Sequence, residues 1–547
     1  MKISSHLDLL TGSDKKPHQV VEVEAGHSLA DSLAAAGFPT NTRCGQRGWC
    51  RGCQVDLVMG ELALKSGGVV KGPATVRACL TSLVADGHAV VHLPERARMS
   101  AAAKVGDSFV LDTPYTINPR FAITAERDTV CAIDLGTTTV VVLLADGASG
   151  EILARAGAFN TQMQHGDNVL SRIVHAGRST GLSDLQHTVI HETLVPLLIQ
   201  ACAESGRAPE RIAGITVAGN TTMLHLLVGE DPTPLGVAPF TPQFIDARDL
   251  PAADLGLPAS LPGLSPDTIV HLLPGLSAYV GADIAAGLCA TGMAYDCEAS
   301  LLVDLGTNGE IVLQQNGRFL ACATAAGPAF EGMGLSSGTR AQRGAIERVQ
   351  MALHPFTLTT GIIGGEWIGN PVGLCGSGYV DFLAEGRRCG LINGSGRYDE
   401  DLWPLLPDEN RCVREGVRAL VLAPGVEVSE RDIAALLQAK AAVGAGIETL
   451  LAKAGLKARD LSKLYLAGGF GLHLEVRNAI AIGLLPDMEA ASVHVVGNSS
   501  LAGALLSALD QEAGRELARL RKRTDVVDLS GQADFEDRYL DHLGLPG

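Results

Sequence analysis

One phrase occurs twice in this chain, and both copies lie between apolar runs. Cys131-Ala-Ile-Asp-Leu-Gly-Thr-Thr-Thr-Val140 and Leu301-Leu-Val-Asp-Leu-Gly-Thr-Asn-Gly-Glu310 share Asp-Leu-Gly-Thr, with Asp134 and Asp304 170 positions apart. An apolar run leads into each aspartate and a second follows each glycine (Val140 to Leu144; Ile311 to Leu313). Two strands joined by a tight glycine turn are the expected local structure. Downstream of each copy comes another strand running into glycine: Ile212-Ala-Gly-Ile-Thr-Val-Ala-Gly-Asn220 and Leu461-Ser-Lys-Leu-Tyr-Leu-Ala-Gly-Gly469. With helical stretches such as Asp432 to Leu451 between them, this repetition predicts a duplicated α/β body with a cleft between its halves.

A glycine hairpin brings backbone N–H groups close to an anion. Gly136 and Gly306 supply the turns. Thr137, Thr138, Thr139 and Thr307 supply hydroxyls, and Asn308 completes the second loop. Asp134 and Asp304 are placed to hold Mg²⁺, directly or through water, or to orient an attacking water. Paired copies point to nucleotide binding, whereas no G-x-x-x-x-G-K-[S/T] loop occurs and no strand-linked dinucleotide fingerprint is present. Leu466-Ala-Gly-Gly-Phe-Gly471 offers Gly468, Gly469 and Gly471 as a side-chain-free surface for a base or ribose. Gly219 and Asn220 occupy the matching place in the first half, facing the γ-phosphate. Gly376, within Gly373-Leu-Cys-Gly-Ser-Gly378, is a further glycine turn that could approach nucleotide. Asp283 and Glu310 are additional carboxylate candidates.

Four of the twelve cysteines cluster near the N-terminus, as Cys44, Cys50, Cys53 and Cys79. Three thiolates on one loop and a fourth from a later segment suit a [2Fe–2S] cluster, close to the plant-type C-x4-C-x2-C…C spacing. Gly45, Gly48 and Gly52 let that loop curl so that N–H groups face sulfur. A zinc Cys₄ site is the other chemistry open to four thiolates, but zinc ribbons usually bring two short pairs and only Cys50/Cys53 is one. The remaining eight cysteines read mostly as small buried hydrophobes.

Length, at roughly 150 residues per domain, is compatible with three to four domains. Lys plus Arg is 43 against 60 Asp plus Glu, a net charge of −17, which argues against a nucleic-acid groove. Hydrophobic content of 46% with 19% charged residues fits folded cores. The apolar stretch from Thr129 to Leu144 is interrupted by Asp134, and the first twenty residues lack a signal-peptide core. No membrane association and a cytoplasmic location are therefore expected.

Residues 1–97 resemble a β-grasp ferredoxin domain, and the x5 cysteine spacing resembles its adrenodoxin-like branch. The hairpins resemble those of the actin, sugar-kinase and heat-shock-chaperone ATPases (ASKHA, RNase H-like). Phosphate-1, phosphate-2 and adenosine motifs would then match Asp134–Thr139, Asp304–Glu310 and Leu466–Gly471. Nearly the whole chain resembles the reductive activators of corrinoid proteins, through Asn160-Thr-Gln, Gly166-Asp-Asn-Val, Ser171-Arg-Ile, Gly219-Asn-Thr-Thr-Met and Gln438-Ala-Lys-Ala-Ala-Val. The resemblance implies an α/β multidomain chain: a ferredoxin domain at 1–97, a flexible linker at 98–127, and two ASKHA halves at 128–297 and 298–547. It implies a [2Fe–2S] cluster, ATP and Mg²⁺ as cofactors, a corrinoid protein as partner and a low-potential electron donor, and it leaves a homodimer open. Two other functions explain part of the sequence. An electron-transfer component for an oxygenase leaves the duplicated body without a task, and an ATP-gated binding or chaperone module leaves the cluster merely structural.

Overall fold

A computed structural model describes residues 4–11, 16–24, 27–38, 40, 46, 48, 53–85, 87–94, 97, 108–166, 168–306, 308–365, 369–414, 416–469 and 473–546. The chain begins with strands β1 (Ser4–Thr11) and β2 (Lys16–Glu24) and helix α1 (Leu29–Ala35), whose Ser28 Oγ accepts from the Asp31 N–H. Strand β3 (Gln54–Leu64) buries Val55 and Leu57 on one face, the period-two pattern of a half-buried strand. Strands β4 (Val69–Lys71), β5 (Ala74–Arg77), β6 (Thr81–Leu83) and β7 (His88–Leu93) follow. The sheet order is β2-β1-β7-β3-β4, with β5 and β6 also pairing with β3 and β1 running parallel to β7. Its core is Leu7, Leu9, Leu29, Leu33, Val55, Leu57 and Val91.

The first half of the body carries β8 (Thr129–Leu135), β9 (Thr139–Asp146), β10 (Ile152–Phe159), helices α2 (Val169–Ala176), α3 (Gly181–His187) and α4 (Val195–Ser205), β11 (Ile212–Gly219), α5 (Thr221–Val228), β12 (Arg248–Pro251), α6 (Leu257–Ser260), β13 (Ile269–Leu272) and α7 (Ala282–Ala290). The second half begins with β14 (Ser300–Leu305), β15 (Gly309–Gln315) and β16 (Arg318–Thr324). Two small three-stranded sheets follow: β17 (Ala345–Leu353), β18 (Phe356–Ile362) and β19 (Gly373–Leu374), then, after α8 (Gly376–Arg388), β20 (Arg411–Arg414), β21 (Val417–Ala423) and β22 (Val426–Ser429). Helix α9 (Glu430–Ala454), β23 (Lys463–Ala467), α10 (Val476–Ala481), β24 (Val493–Gly497), α11 (Ser499–Leu509), α12 (Gln511–Arg523), β25 (Thr524–Val526) and α13 (Phe535–Asp541) complete the chain.

The duplication is visible in the sheet orders. The first half reads β10-β9-β8-β11-β13-β12 and the second β16-β15-β14-β23-β24, with β25 beside β16. Each opens with an antiparallel meander and adds two parallel strands on the far side of its first strand. Central strand β8 is buried along nearly its whole length, as a strand covered on both faces must be. Helices α7 and α11 each follow the last parallel strand of their half, and they pack against each other. Thr216 of β11 donates to the Ala504 carbonyl of α11 at 2.8 Å, tying the first sheet to the second half. Helix α9 is long and apolar enough to cross a bilayer, and most of it is buried in the fold.

Two compact units emerge. One comprises Met1–Ala101, Glu331–Tyr379 and Tyr398–Ala435; the other comprises Ala102–Phe330, Val380–Arg397 and Leu436–Gly547 and contains both six-stranded mixed sheets.

The stretch 108–127 differs from the flexible linker expected at 98–127. It is a strap stitched to the body: Val110 N–H donates to Val496 O, Asp112 N–H to Ala290 O, Asn118 N–H to Leu509 O and Arg120 N–H to Ala508 O, at 2.8 to 3.0 Å. Arg120 also pairs with Asp249, and Phe121 is buried with the core. A polar, aperiodic segment can still be fixed when its backbone finds partners. Residues 98–107 lie outside the described residues. Of the eight scattered cysteines, five are buried, Cys389 and Cys412 are half-buried and Cys297 is exposed.

Phe121→Ala should detach the strap. We expect a loss of about 3 kcal/mol from the emptied contact, read as a lower unfolding temperature, and faster limited proteolysis within 108–127. Unchanged protease resistance would show that the backbone bonds alone hold the segment.

Candidate functional site

Asp134 and Asp304 occupy the same station in the two halves, each the penultimate residue of its central strand. Asp134 is flanked in the sheet by Val141 and Ala218, Asp304 by Glu310 and Ala467. Beyond them the chain turns back. Gly136 N–H donates to Thr139 O and Gly306 N–H to Asn308 O, both at 3.0 Å. Thr137 and Thr138 are buried in the first turn, and Thr139 opens β9. Thr307 lies outside the described residues.

The glycines that end the neighbouring parallel strands are also equivalent. A Cβ on Gly219 would stand 2.7 Å from Leu135 O, and one on Gly468 2.6 Å from Leu305 O and 3.0 Å from Asp304 Oδ1. Any side chain there would push the strand end off the aspartate hairpin, and Gly468 in addition has φ of +92°. Gly469 follows in an exposed turn, and Gly471 lies outside the described residues. Asn220 caps α5 by accepting from Met223 N–H at 3.0 Å and donates to Thr137 Oγ1 at 2.9 Å, joining the Gly219 turn to the first hairpin. Gly376 opens α8 and falls in the other compact unit.

The carboxylates interact. Asp134 accepts from Asn498 Nδ2 at 2.8 Å and from Ser500 Oγ at 2.7 Å, both at the start of α11. Burial raises its pKa, and these two hydrogen bonds oppose the rise. Asp283, in the first turn of α7, accepts from Ile284 N–H at 2.9 Å. Burial, reinforced by the Asp134 charge, pushes it up to about 7. Glu310 is held well above the usual carboxylate range by burial and by Asp283 and Asp304. Four acids therefore share one electrostatic neighbourhood. Among the described residues no three such side chains stand close enough to chelate an ion by themselves. That donor set suits Mg²⁺, which keeps several waters and binds through one or two carboxylates plus substrate phosphates.

Sequence reasoning singled out the four acids but missed what holds Asp134. Asn498 and Ser500 sit in Gly497-Asn-Ser-Ser500, an echo of Gly219-Asn-Thr-Thr222. Both asparagines cap the helix after a parallel strand. That echo was the available signal.

At the N-terminal sheet, Cys53 precedes β3 and Cys79 lies in the turn between β5 and β6. Both are buried, and their Sγ atoms are 3.3 Å apart. Two thiolates sharing one tetrahedral metal with bonds of about 2.3 Å stand about 3.8 Å apart, so the pair fits a shared ion with a small adjustment. Arg77 reaches from β5 to the Gly48 carbonyl, and Ala78 N–H donates to Cys53 O at 2.9 Å, fixing the two segments together. Cys44 and Cys50, with Gly45 and Gly52, lie outside the described residues.

Family models described as the RACo middle region and as the C-terminal domain of RACo, the ASKHA domain, match residues 130–296 and 298–547. The corrinoid activation enzyme RamQ of Eubacterium limosum is 34% identical over 420 residues, 75% of this chain and 69% of that protein. A Co(II) methylated amine-specific corrinoid protein reductase of Methanosarcina barkeri is 28% identical over 439 residues, 75% of this chain and 76% of its own. A solved reductive activator for a corrinoid, iron-sulfur protein superposes with a TM-score of 0.72 at 30% identity, covering 99% of this chain and 98% of its own.

The raised acids set a pH dependence. Unfolded, Asp283 loses its proton near the ordinary value of about 4; folded, it keeps it to about 7. The native state thus binds more protons in this window, and stability falls as pH rises from 4 to 7. We expect the unfolding temperature in chelator to drop over this window more for the wild type than for Asp283→Asn, and Mg²⁺ with ATP to reduce the difference. Parallel profiles would show that Asp283 titrates normally.

Proposed function

The chain belongs to the RACo family, and from that membership we propose that it is an ATP-dependent reductive activator. It passes one electron to a corrinoid protein of a methyltransferase system and returns cobalt from Co(II) to Co(I). The observation that carries this reading is the correspondence of 99% of the chain with a reductive activator for a corrinoid, iron-sulfur protein. That correspondence includes the N-terminal sheet as well as the duplicated body. On this reading residues 1–97 are a β-grasp ferredoxin domain, and an external low-potential donor supplies electrons.

Cys44, Cys50, Cys53 and Cys79 would hold the [2Fe–2S] cluster, which when bound supplies a one-electron store near roughly −400 mV for the plant type. Cys53 and Cys79 are preorganised for it by the Arg77 and Ala78 bonds. In the body, Gly136, Thr137, Thr138 and Thr139 present one hairpin to the phosphates and Gly306, Thr307 and Asn308 the other. Asp134 and Asp304 orient the magnesium shell or the attacking water. Gly219 and Asn220 face the γ-phosphate side, and Gly468, Gly469 and Gly471 leave room for the nucleoside. Gly376 would be a further glycine turn approaching the nucleotide.

The test is anaerobic spectroscopy of a Co(II) corrinoid protein with the full chain, a strong reductant and Mg-ATP. Co(I) should form with ATP and more slowly, or to a lesser extent, without it. Equal rates and extents with ATP, a non-hydrolysable analogue and no nucleotide would refute the coupling. Asp304→Asn should lower ATP hydrolysis by about a hundredfold while leaving the visible spectrum intact. Cys79→Ser should do the reverse, losing the cluster spectrum while nucleotide still binds.

A further inference from the structure

Behind the first hairpin lies a buried polar network that the proposed reaction does not itself use. Arg172, Asn160 and Gln162 are each fully buried. Arg172 comes from α2, whose N-terminus is fixed by reciprocal bonds between Asn168 and Ser171. Its guanidinium points inward and donates through Nη2 to Thr137 O at 2.5 Å, through Nε to Gly166 O at 3.0 Å, and through Nη1 to Gln162 Oε1 and Met223 Sδ, each at 3.1 Å. Asn160 takes the carbonyls on either side of Thr137: its Nδ2 donates to Gly136 O at 3.0 Å and its backbone N–H to Thr138 O at 2.9 Å. Gln162 receives from Asn160 as well as from Arg172 and is itself anchored to Leu185 O at 2.8 Å.

Three successive hairpin carbonyls are thus engaged from one side. In a trans peptide the C=O of one residue and the N–H of the next point in opposite directions. Holding the carbonyls of Gly136 and Thr137 toward the network therefore turns the N–H groups of Thr137 and Thr138 the other way. A hairpin free to flip either peptide would offer an anion a carbonyl in place of a donor. The guanidinium on Thr137 O also polarises the peptide unit and strengthens its N–H as a donor. Met223 extends the hold to the second element of the site, since Asn220, which caps its N–H, donates to Thr137 Oγ1.

We propose that Arg172, with Asn160 and Gln162, is the positioning group of the first hairpin, orienting its amides toward the nucleotide phosphates. This rests on the reading of that hairpin as a phosphate site. Arginine suits the role because its planar fork satisfies several acceptors at fixed angles, whereas lysine keeps the charge and cannot reproduce the fork.

The test uses the full chain with its cluster. Arg172→Lys and Asn160→Asp are compared with wild type for binding of Mg-ATP, Mg-ADP and adenosine, by competition against a fluorescent ATP analogue. Expected is a loss of about tenfold for both phosphorylated nucleotides, the scale of one oriented hydrogen bond, against less than about twofold for adenosine. The unfolding temperature should stay within about 3 °C and the visible spectrum should not change. A structural role alone would lower stability without separating adenosine from ATP. If Arg172→Lys fails to fold, Asn160→Asp must show the same separation. Folded variants that bind ATP like wild type, or that lose ATP and adenosine equally, overturn the assignment while leaving the function standing. A wild-type chain that binds no ATP overturns both.

Discussion

Asp134 stands near the end of a strand of the first half, yet the two side chains that hold its carboxylate, Asn498 and Ser500, come from the start of α11 in the second. Neither half completes the site alone. Half-buried carboxylate oxygens need partners, and here the second half supplies them to the first. The same helix accepts the Thr216 hydroxyl from the first sheet and packs along α7. The α7–α11 packing joins the two halves of the duplicated body.

The two halves repeat, and the place where they stop repeating is informative. Ser500 lies two residues after the Asn498 cap of α11, and Asp283 lies two residues after the Gly281 cap of α7. One position is a neutral hydroxyl donating to Asp134. Its counterpart is an acid in the field of Asp134 and Glu310. A symmetric pair of hydroxyls would leave the cluster with fewer negative charges. The acid instead adds a charge to the cluster, at the cost of a raised proton affinity that a divalent cation can relieve. Beside the differences within the hairpins themselves, this exchange of a hydroxyl for an acid adds to the inequality of the two halves.

Much of this was legible in the sequence because it depends on local rules. The Asp-Leu-Gly-Thr repeats announced both hairpins, and the apolar runs around them announced the strands, since a fully buried parallel strand has no polar alternation to confuse it. The helix from Asp432 to Leu451 was visible and extends only a few residues further at each end. What stayed hidden required long-range partners. The strap 108–127 looked like a linker because its stabilising bonds go to Val496, Ala290 and Leu509, hundreds of residues away. Arg172 appeared in the sequence only within the phrase Ser171-Arg-Ile, with no role attached. Its burial follows only from the hairpin carbonyl it meets 35 positions earlier. Asn498 was concealed because its capping pattern belongs to one half and its acceptor to the other.

The strap changes how coupling between ATP and electron transfer can be pictured. Driving an electron uphill costs a factor of ten in population for about every 59 mV. Nucleotide can offset that only through states that bind it differently. A free tether would report nothing about such states. The strap is different, because it bonds to the end of α7 at Ala290, to the end of α11 at Ala508 and Leu509, and to the edge strand β24 at Val496. Those are the elements that carry Asp283, Ser500 and Asn498 at their opposite ends or immediately beyond. Any rearrangement of the α7–α11 pair that alters the grip on Asp134 must also shift the carbonyls to which the strap is tied. The strap is therefore mechanically joined to α7, α11 and β24, an arrangement unlike that of a free tether.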